Sequence, residues 1–125
     1  MEINQQLIGS WQLAYYETET NGRINSPNDN KPVYWDLKSD NTYEGKTGNN
    51  EILGQYCLEE DKIYFTLSGS EVIGTAWEEQ FYDALDNAWN GETYVMPYSL
   101  KNDELILNYS NNNTMHFLPR QMPYN

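Results

Sequence analysis

Apolar and polar side chains alternate along most of this chain, which is the period-two pattern of β-strands. In the first alternating run, Leu7, Trp11, Leu13 and Tyr15 fall on one face, and a polar loop is expected from 17 to 31. Similar runs follow near 33–37, 42–44, 54–59, 62–67, 94–100, 105–109 and 115–117. Short polar turns separate these runs, so the pattern predicts about eight antiparallel strands.

One segment follows a helical period instead. Its apolar residues recur every three or four positions: Trp77, Phe81, Ala84, Leu85 and Ala88. Thr75 and Glu78 have the spacing of a capping box at its start. We therefore predict a mainly β fold, with about eight antiparallel strands in a strongly curled sheet or small barrel. One amphipathic helix near 76–88, inserted before the last three strands, packs against it.

The composition says less about the fold than about the function classes that are excluded. The 125 residues suit one domain spanning 1–125, and 4 Trp, 11 Tyr and 3 Phe supply a sizeable core. The net charge of −12 repels phosphate and anionic lipid, so we expect no nucleic-acid binding. No apolar run approaches the ~18 residues of a transmembrane segment, so none is expected.

The location stays open between two alternatives. The first residues have neither the basic nor the apolar part of a signal peptide. We therefore expect either an extracytoplasmic protein of the cell envelope, whose signal or lipoprotein segment is absent from this sequence, or a cytoplasmic one.

Residues able to carry chemistry are few. His116 is the only histidine and Cys57 the only cysteine, so a Cys–His pair is arithmetically possible, but no third group orients it. The paired carboxylates fall at a hairpin tip (59–61) and on the outer face of the helix. We expect no enzyme, no catalytic residue, no cofactor and no metal site.

Aromatic residues are the remaining candidates for function. A possible partner or ligand surface comprises Trp35, Tyr43, Trp89, Tyr94 and Tyr98. The alternative is that most of them are half-buried sheet residues, which we favour because tyrosine is common in strands. An unidentified protein partner remains possible, and the oligomeric state is left open.

The central segment carries a family resemblance. Gly45, Gly48, Asn50, Gly54 and Tyr56 stand in the order Gly-x-x-Gly-Asn-Asn-x-x-x-Gly-x-Tyr. This order resembles the signature of the META domain, the HslJ-like family of small bacterial envelope proteins. Gly and Asn tolerate positive φ, so the segment is interpreted as a shaped connection between strands.

The resemblance implies a curled sheet or barrel with a packed helix, without catalysis, in a protein that is exported or lipid-anchored and acts through protein contacts. Thr75 before the helix and the Gly9-Ser10-Trp11 opening support it. The family's two cysteines are both absent here, since Asn49 replaces the first, so no redox property is carried over. Asn50 is expected to bond nearby backbone and fix the turn.

A second resemblance is to lipocalin-like proteins, which implies binding of a small apolar ligand. Gly9-x-Trp11 and Arg120 are similar to the glycine, tryptophan and arginine at a lipocalin barrel floor, and we expect Arg120 to stack on Trp11. The helix position favours the META resemblance. The interior separates the two: a lipocalin-like barrel holds an apolar cavity of several hundred Å³, whereas a META domain is filled by side chains.

Overall fold

The computed structural model describes residues 7–25, 32–47, 50–69, 76–110 and 112–120. These residues form ten strands and one helix: β1 (Gly9–Thr18), β2 (Gly22–Asn25), β3 (Val33–Leu37), β4 (Thr42–Thr47), β5 (Asn50–Glu59), β6 (Lys62–Phe65), β7 (Ser68–Gly69), α1 (Ala76–Ala88), β8 (Tyr94–Lys101), β9 (Glu104–Ser110) and β10 (Asn113–Pro119). Gly48 and Thr75, and with Thr75 the capping box, lie outside the described residues.

Eight of the strands close into an antiparallel barrel. Their order is β1-β3-β4-β5-β6-β8-β9-β10, and β10 pairs back with β1 to complete the ring. Strand β2 pairs with β1, and the two-residue β7 pairs with β5. The mainly β fold and the helix ahead of the last three strands are therefore confirmed.

The predicted loop from 17 to 31 is wrong at its start. Strand β1 continues to Thr18, turns through 19–21 and returns as β2, with Glu17 opposite Arg23. Polar side chains hide this hairpin in the sequence, because Ile24 is the one apolar side chain of β2 and makes no alternating pattern by itself. Residues 26–31 lie outside the described residues.

A β-bulge reverses the predicted face of the end of β1. The pairing of β1 with β10 shifts between Leu13 and Tyr15, where one extra residue enters β1. Each single-residue shift exchanges the two faces of a strand, so Tyr16 is fully buried and Tyr15 faces outward. The prediction that Tyr15 shares the inner face with Leu13 is therefore wrong.

Aromatic rings fill the middle of the barrel. Trp35 on β3 is fully buried and Tyr43 on β4 nearly so, which excludes these two residues from the possible partner surface. The ring of Trp35 has close ring neighbours, with centroid distances of 5.0 Å to Phe65, 5.5 Å to Tyr43, 5.7 Å to Phe117 and 6.4 Å to Phe81. These residues come from strands all around the barrel and from the helix, so their side chains occupy its centre.

Helix α1 covers an opening of the barrel. Its backbone packs against β8 and β9, while Trp77 meets Tyr16 of β1 edge to face at 4.7 Å. The Tyr82 hydroxyl lies 2.8 Å from the Thr47 hydroxyl on β4. These contacts reach strands on different sides of the ring, so the helix crosses its end. In the described part of the chain, no helix has the length and apolarity needed to cross a membrane.

Two glycines of the central motif allow backbones to approach closely. The segment interpreted as a connection is mostly strand, since it comprises the end of β4 and most of β5. A Cβ on Gly45 would lie 2.0 Å from the carbonyl oxygen of Tyr34, and one on Gly54 would lie 2.3 Å from that of Thr66. Neither φ is positive, so close contact explains these glycines and the expected left-handed turn does not.

Candidate functional site

The remaining residues of the central motif lie in the barrel wall. Asn50 is almost fully buried and stands opposite Thr47 at the end of the β4–β5 hairpin. Tyr56 is buried as well, and its hydroxyl donates to the carbonyl oxygen of Lys38 at 2.7 Å. These positions make the motif part of the scaffold.

Arg120 stacks on an aromatic ring, but the ring is that of Tyr34. The guanidinium carbon lies 3.6 Å from the ring centre, whereas Trp11 is buried and its indole N–H donates to the carbonyl oxygen of Leu7. The predicted contact between Arg120 and Trp11 is therefore wrong. Outward residues of β3 and the chain beyond β10 meet on the outer surface, where the backbone N–H of Arg120 donates to the carbonyl oxygen of Ser10 at 2.8 Å.

A groove of about 380 Å³ opens beside this stacked pair on the outer face of β1, β3, β4 and β5. Its walls include Tyr34, Asp36, Glu44, Lys46, Glu51, Leu53 and Arg120, and we call it the Arg120 groove. Strand alternation places these side chains outward while their neighbours enter the core. The register sets Lys46 directly opposite Tyr34 and Glu51 opposite Lys46.

The charges of the Arg120 groove are unevenly paired. Among the described residues, neither Arg120 nor Lys46 has a carboxylate within 4.0 Å, whereas Lys38 lies 3.2 Å from Glu44. Leu53 leaves 53% of its surface exposed, the largest fraction among the big apolar side chains described. An exposed apolar residue, a tyrosine and an unneutralised arginine therefore lie together. No pattern in the sequence indicates this groove, because its walls come from separate strands.

The other aromatic candidates lie elsewhere. Trp89 is half exposed and packs on Tyr94 at 4.9 Å, while Tyr94 stacks on buried Phe65 at 5.2 Å. Tyr98 is half-buried against the core. The five predicted aromatic residues thus do not form one patch.

A second groove of about 580 Å³ lies near the Glu59–Lys62 turn. Its walls include Cys57 and the carboxylates of Asp40, Glu59 and Glu92. In the ring of eight strands, β5 with Cys57 stands opposite β10 with His116. The two side chains therefore do not form the pair that the sequence allowed.

His116 belongs to a hydrogen-bonded network on the outer wall. Its Nδ1 lies 2.7 Å from Glu104 Oε1, and because a carboxylate only accepts, Nδ1 carries the hydrogen. Its Nε2 lies 2.8 Å from the Thr114 hydroxyl and 3.7 Å from Glu17. The ring of Tyr15 stacks on the imidazole at 4.3 Å and leaves it almost fully buried.

The hydrogen bonds of Glu104 shift two pKa values, that of Tyr15 and its own. The Tyr15 hydroxyl donates to Glu104 Oε1 at 2.6 Å, and this hydrogen bond raises the pKa of Tyr15 to about 12. The hydrogen bonds from Tyr15 and then from His116 hold the pKa of Glu104 below its usual range. The sequence analysis missed Tyr15 and Glu104 as neighbours of His116, because the bulge in β1 is what turns Tyr15 toward the other two residues.

The network orders carboxylate, imidazole and hydroxyl as a hydrolytic triad does, but its surroundings differ. Tyr15 covers the face of the imidazole, and Arg23 lies over Tyr15 at 3.8 Å. Neither the Arg120 groove nor the groove near the Glu59–Lys62 turn is lined by Glu104, His116 or Thr114. Within the described ranges, no three His, Cys, Asp or Glu side chains group closely enough to hold a metal ion.

Comparisons with known proteins identify similar folds and no family. No family model matches the sequence, and a search of curated proteins finds no match. Among solved structures, a protein from Burkholderia xenovorans is 21% identical with a TM-score of 0.67, covering 94% of this chain and 86% of its own. A lipocalin-like protein from Bacteroides uniformis is 16% identical with a TM-score of 0.65, covering 92% and 99%. A DUF4847 family protein from Bacteroides vulgatus is 15% identical with a TM-score of 0.57, covering 92% and 94%. At these identities the likeness establishes a barrel fold.

Proposed function

We propose that this protein is a non-catalytic, META-like (HslJ-like) barrel of the bacterial cell envelope that acts through protein contacts made by the Arg120 groove. The observation that carries the proposal is the interior of the barrel. Trp35 and its ring neighbours occupy the centre, so binding is left to the outer surface.

The composition of the Arg120 groove supports contact with a protein. Arginine and tyrosine are enriched among residues that dominate interface energies, and here Arg120 lies on Tyr34. Leu53 adds an apolar side chain that is half exposed in the free protein. Its burial by a partner would be favourable, at about 25 cal/mol per Å² of apolar surface.

The resemblance of the central motif supports the family and location. Gly45, Gly54 and Tyr56 have structural roles in the wall, which suits a signature that specifies a fold. The envelope location rests on that resemblance, and a signal or lipobox sequence ahead of this chain in its gene would support it.

The second candidate is a lipocalin-like binder of small apolar ligands. The likeness to the lipocalin-like protein of Bacteroides uniformis favours it, as does the position of Trp11 at the start of β1. Titration with a fatty acid, followed by tryptophan fluorescence, separates the candidates. We expect no saturable change, and saturable quenching would replace our proposal with this one.

Photo-crosslinking tests the protein contact directly. A photoreactive amino acid replaces Leu53 in the Arg120 groove or, as a matched control, Ser99 on β8, which stands opposite β3 in the ring. We expect one discrete product from position 53 in envelope extracts of the producing bacterium, competed by excess unlabelled protein. Equal products from both positions, or none from 53, would contradict the proposal.

A further inference from the structure

We propose that the Arg120 groove contains a carboxylate-binding subsite, where Arg120 and Lys46 take a carboxylate that the partner protein carries beside an apolar side chain. This inference rests on the proposed function, because it specifies the chemistry of the partner. The inference goes beyond the proposed function because it names the chemical group that is recognised and the residue that binds this group.

Arg120 is held in place while its hydrogen-bond donors stay available. Stacking on Tyr34 fixes the plane of the guanidinium, and a stacked arginine directs its N–H groups sideways in a fork that matches a carboxylate. Among the described residues, no side-chain or backbone acceptor satisfies these donors. Ordering of the side chain has thus already occurred before a ligand binds, which favours binding.

The second arginine of the chain shows what a satisfied one looks like. Arg23 also stacks on a tyrosine, with 3.8 Å between its guanidinium carbon and the ring centre of Tyr15. Its Nε, however, donates to the side-chain oxygen of Asn25 at 2.9 Å. The two stacked arginines therefore differ in the feature that the proposal requires, an available Nε–H.

The charges around Arg120 select the kind of anion. The chain has only 7 Lys and Arg against 19 Asp and Glu, yet two of the seven line this one groove without a carboxylate in salt-bridge distance. Lys46 stands opposite Tyr34 on the neighbouring strand. Asp36, Glu44 and Glu51 also line the groove, and their repulsion penalises a doubly charged phosphate more than a singly charged carboxylate.

The size of the groove and Leu53 define the rest of the ligand. A volume of about 380 Å³ holds a side chain together with its neighbouring backbone, and Leu53 offers an exposed apolar wall. A carboxylate at the end of a partner chain, next to an apolar residue, has this combination. N-acetyl-leucine reproduces it, and N-acetyl-leucinamide is the same molecule without the charge.

Arginine Nε–Hε signals in NMR spectra measure this subsite directly, since the chain contains two arginines. On titration with N-acetyl-leucine, we expect a saturable shift of the Arg120 signal while the Arg23 signal stays in place. N-acetyl-leucinamide should leave both unchanged. Movement of both arginines together, or an equal response to the amide, would overturn the proposal.

Substitutions assign the shift to the proposed geometry. Arg120→Lys keeps the charge but loses the planar fork, so we expect about tenfold weaker binding, followed through the backbone amide of Lys46. Leu53→Ser should weaken N-acetyl-leucine binding but leave acetate binding unchanged. Unaltered affinity in Arg120→Lys, or stronger binding of inorganic phosphate than of N-acetyl-leucine, would refute a carboxylate subsite.

The outcomes separate this inference from the proposed function. If N-acetyl-leucine shifts Arg120 but position 53 crosslinks to nothing, the subsite stands and the protein-contact function fails. If position 53 crosslinks but Arg120 does not respond to the carboxylate, the function stands and this inference is wrong.

Discussion

At the scale of single residues, Glu104 is the acceptor that ties the outer wall together. It accepts from Tyr15 of β1 and from His116 of β10, so one carboxylate joins the two strands whose pairing closes the barrel. Glu104 is on β9, and all three side chains face outward from their strands. Closure of the ring therefore has a polar link in addition to its backbone hydrogen bonds.

This link predicts a loss of stability in acid. The pKa of Glu104 is lower in the folded protein than in the unfolded chain, so its contribution is present above the unfolded value and is lost as pH falls through the folded one. We expect Glu104→Gln to lower stability at pH 7 and to reduce the loss between pH ~5 and pH ~3. Urea unfolding of the wild type and of Glu104→Gln at pH 7, pH ~5 and pH ~3 measures these differences in stability.

Two variants control the acid experiment. Tyr15→Phe removes the donor that contributes most to the lowered pKa of Glu104, so it should reduce the same loss in part. Glu92→Gln, at an exposed carboxylate in the loop before β8, should leave the acid profile unchanged. A wild-type profile in Glu104→Gln would show that the carboxylate does not couple folding to pH.

Asn50 gives a second prediction at this scale. It is almost fully buried at the end of the β4–β5 hairpin, where a polar side chain requires hydrogen-bond partners. Asn50→Ala should lower the free energy of unfolding by about 1–2 kcal/mol. Asn21→Ala, in an exposed turn, is the control. An unchanged thermal midpoint in Asn50→Ala would mean that the asparagine does not stabilise the hairpin.

At the scale of elements, the sequence predicted the helix and the strands whose apolar residues recur with a clear period. Helix α1 has the expected bounds because its apolar positions recur every 3.6 residues. The β5–β6 hairpin lies where it was predicted, because polar residues mark its turn. The bulge in β1 was missed because Tyr15 and Tyr16 are both aromatic, so the pattern fits either face. The Arg120 groove could not be predicted, since strand register brings its residues together.

The tight approach of β3 and β4 predicts a costly substitution. A Cβ at position 45 would lie 2.0 Å from the Tyr34 carbonyl oxygen, and backbone on both strands would have to move. We expect Gly45→Ala to lower the free energy of unfolding by about 2–3 kcal/mol, the upper part of the usual range for overpacking, because the clash is with backbone. Gly22→Asn is the control, because its surroundings are open and asparagine tolerates its φ of 65°. Equal stability of the two variants would contradict the steric explanation.

At the scale of the whole molecule, the barrel is a closed wall around an aromatic filling, with the helix supplying part of that filling. Phe81 reaches from α1 to within 6.4 Å of the Trp35 ring centre and is fully buried. An eight-stranded barrel is compatible with a filled interior, because the same ring of strands encloses either a ligand or its own side chains.

Removal of one core side chain should convert the filled barrel into one that has room for a ligand. We expect Phe81→Ala to lower the free energy of unfolding by about 3–5 kcal/mol and to leave a cavity. A dry apolar cavity of this kind binds small apolar molecules, so benzene should raise the thermal midpoint of Phe81→Ala. The wild type and Leu53→Ala, which truncates an outer side chain, should not respond. An equal response of the wild type would show that its interior already has room for a ligand, and the function would then lie inside the barrel instead of on its outer face.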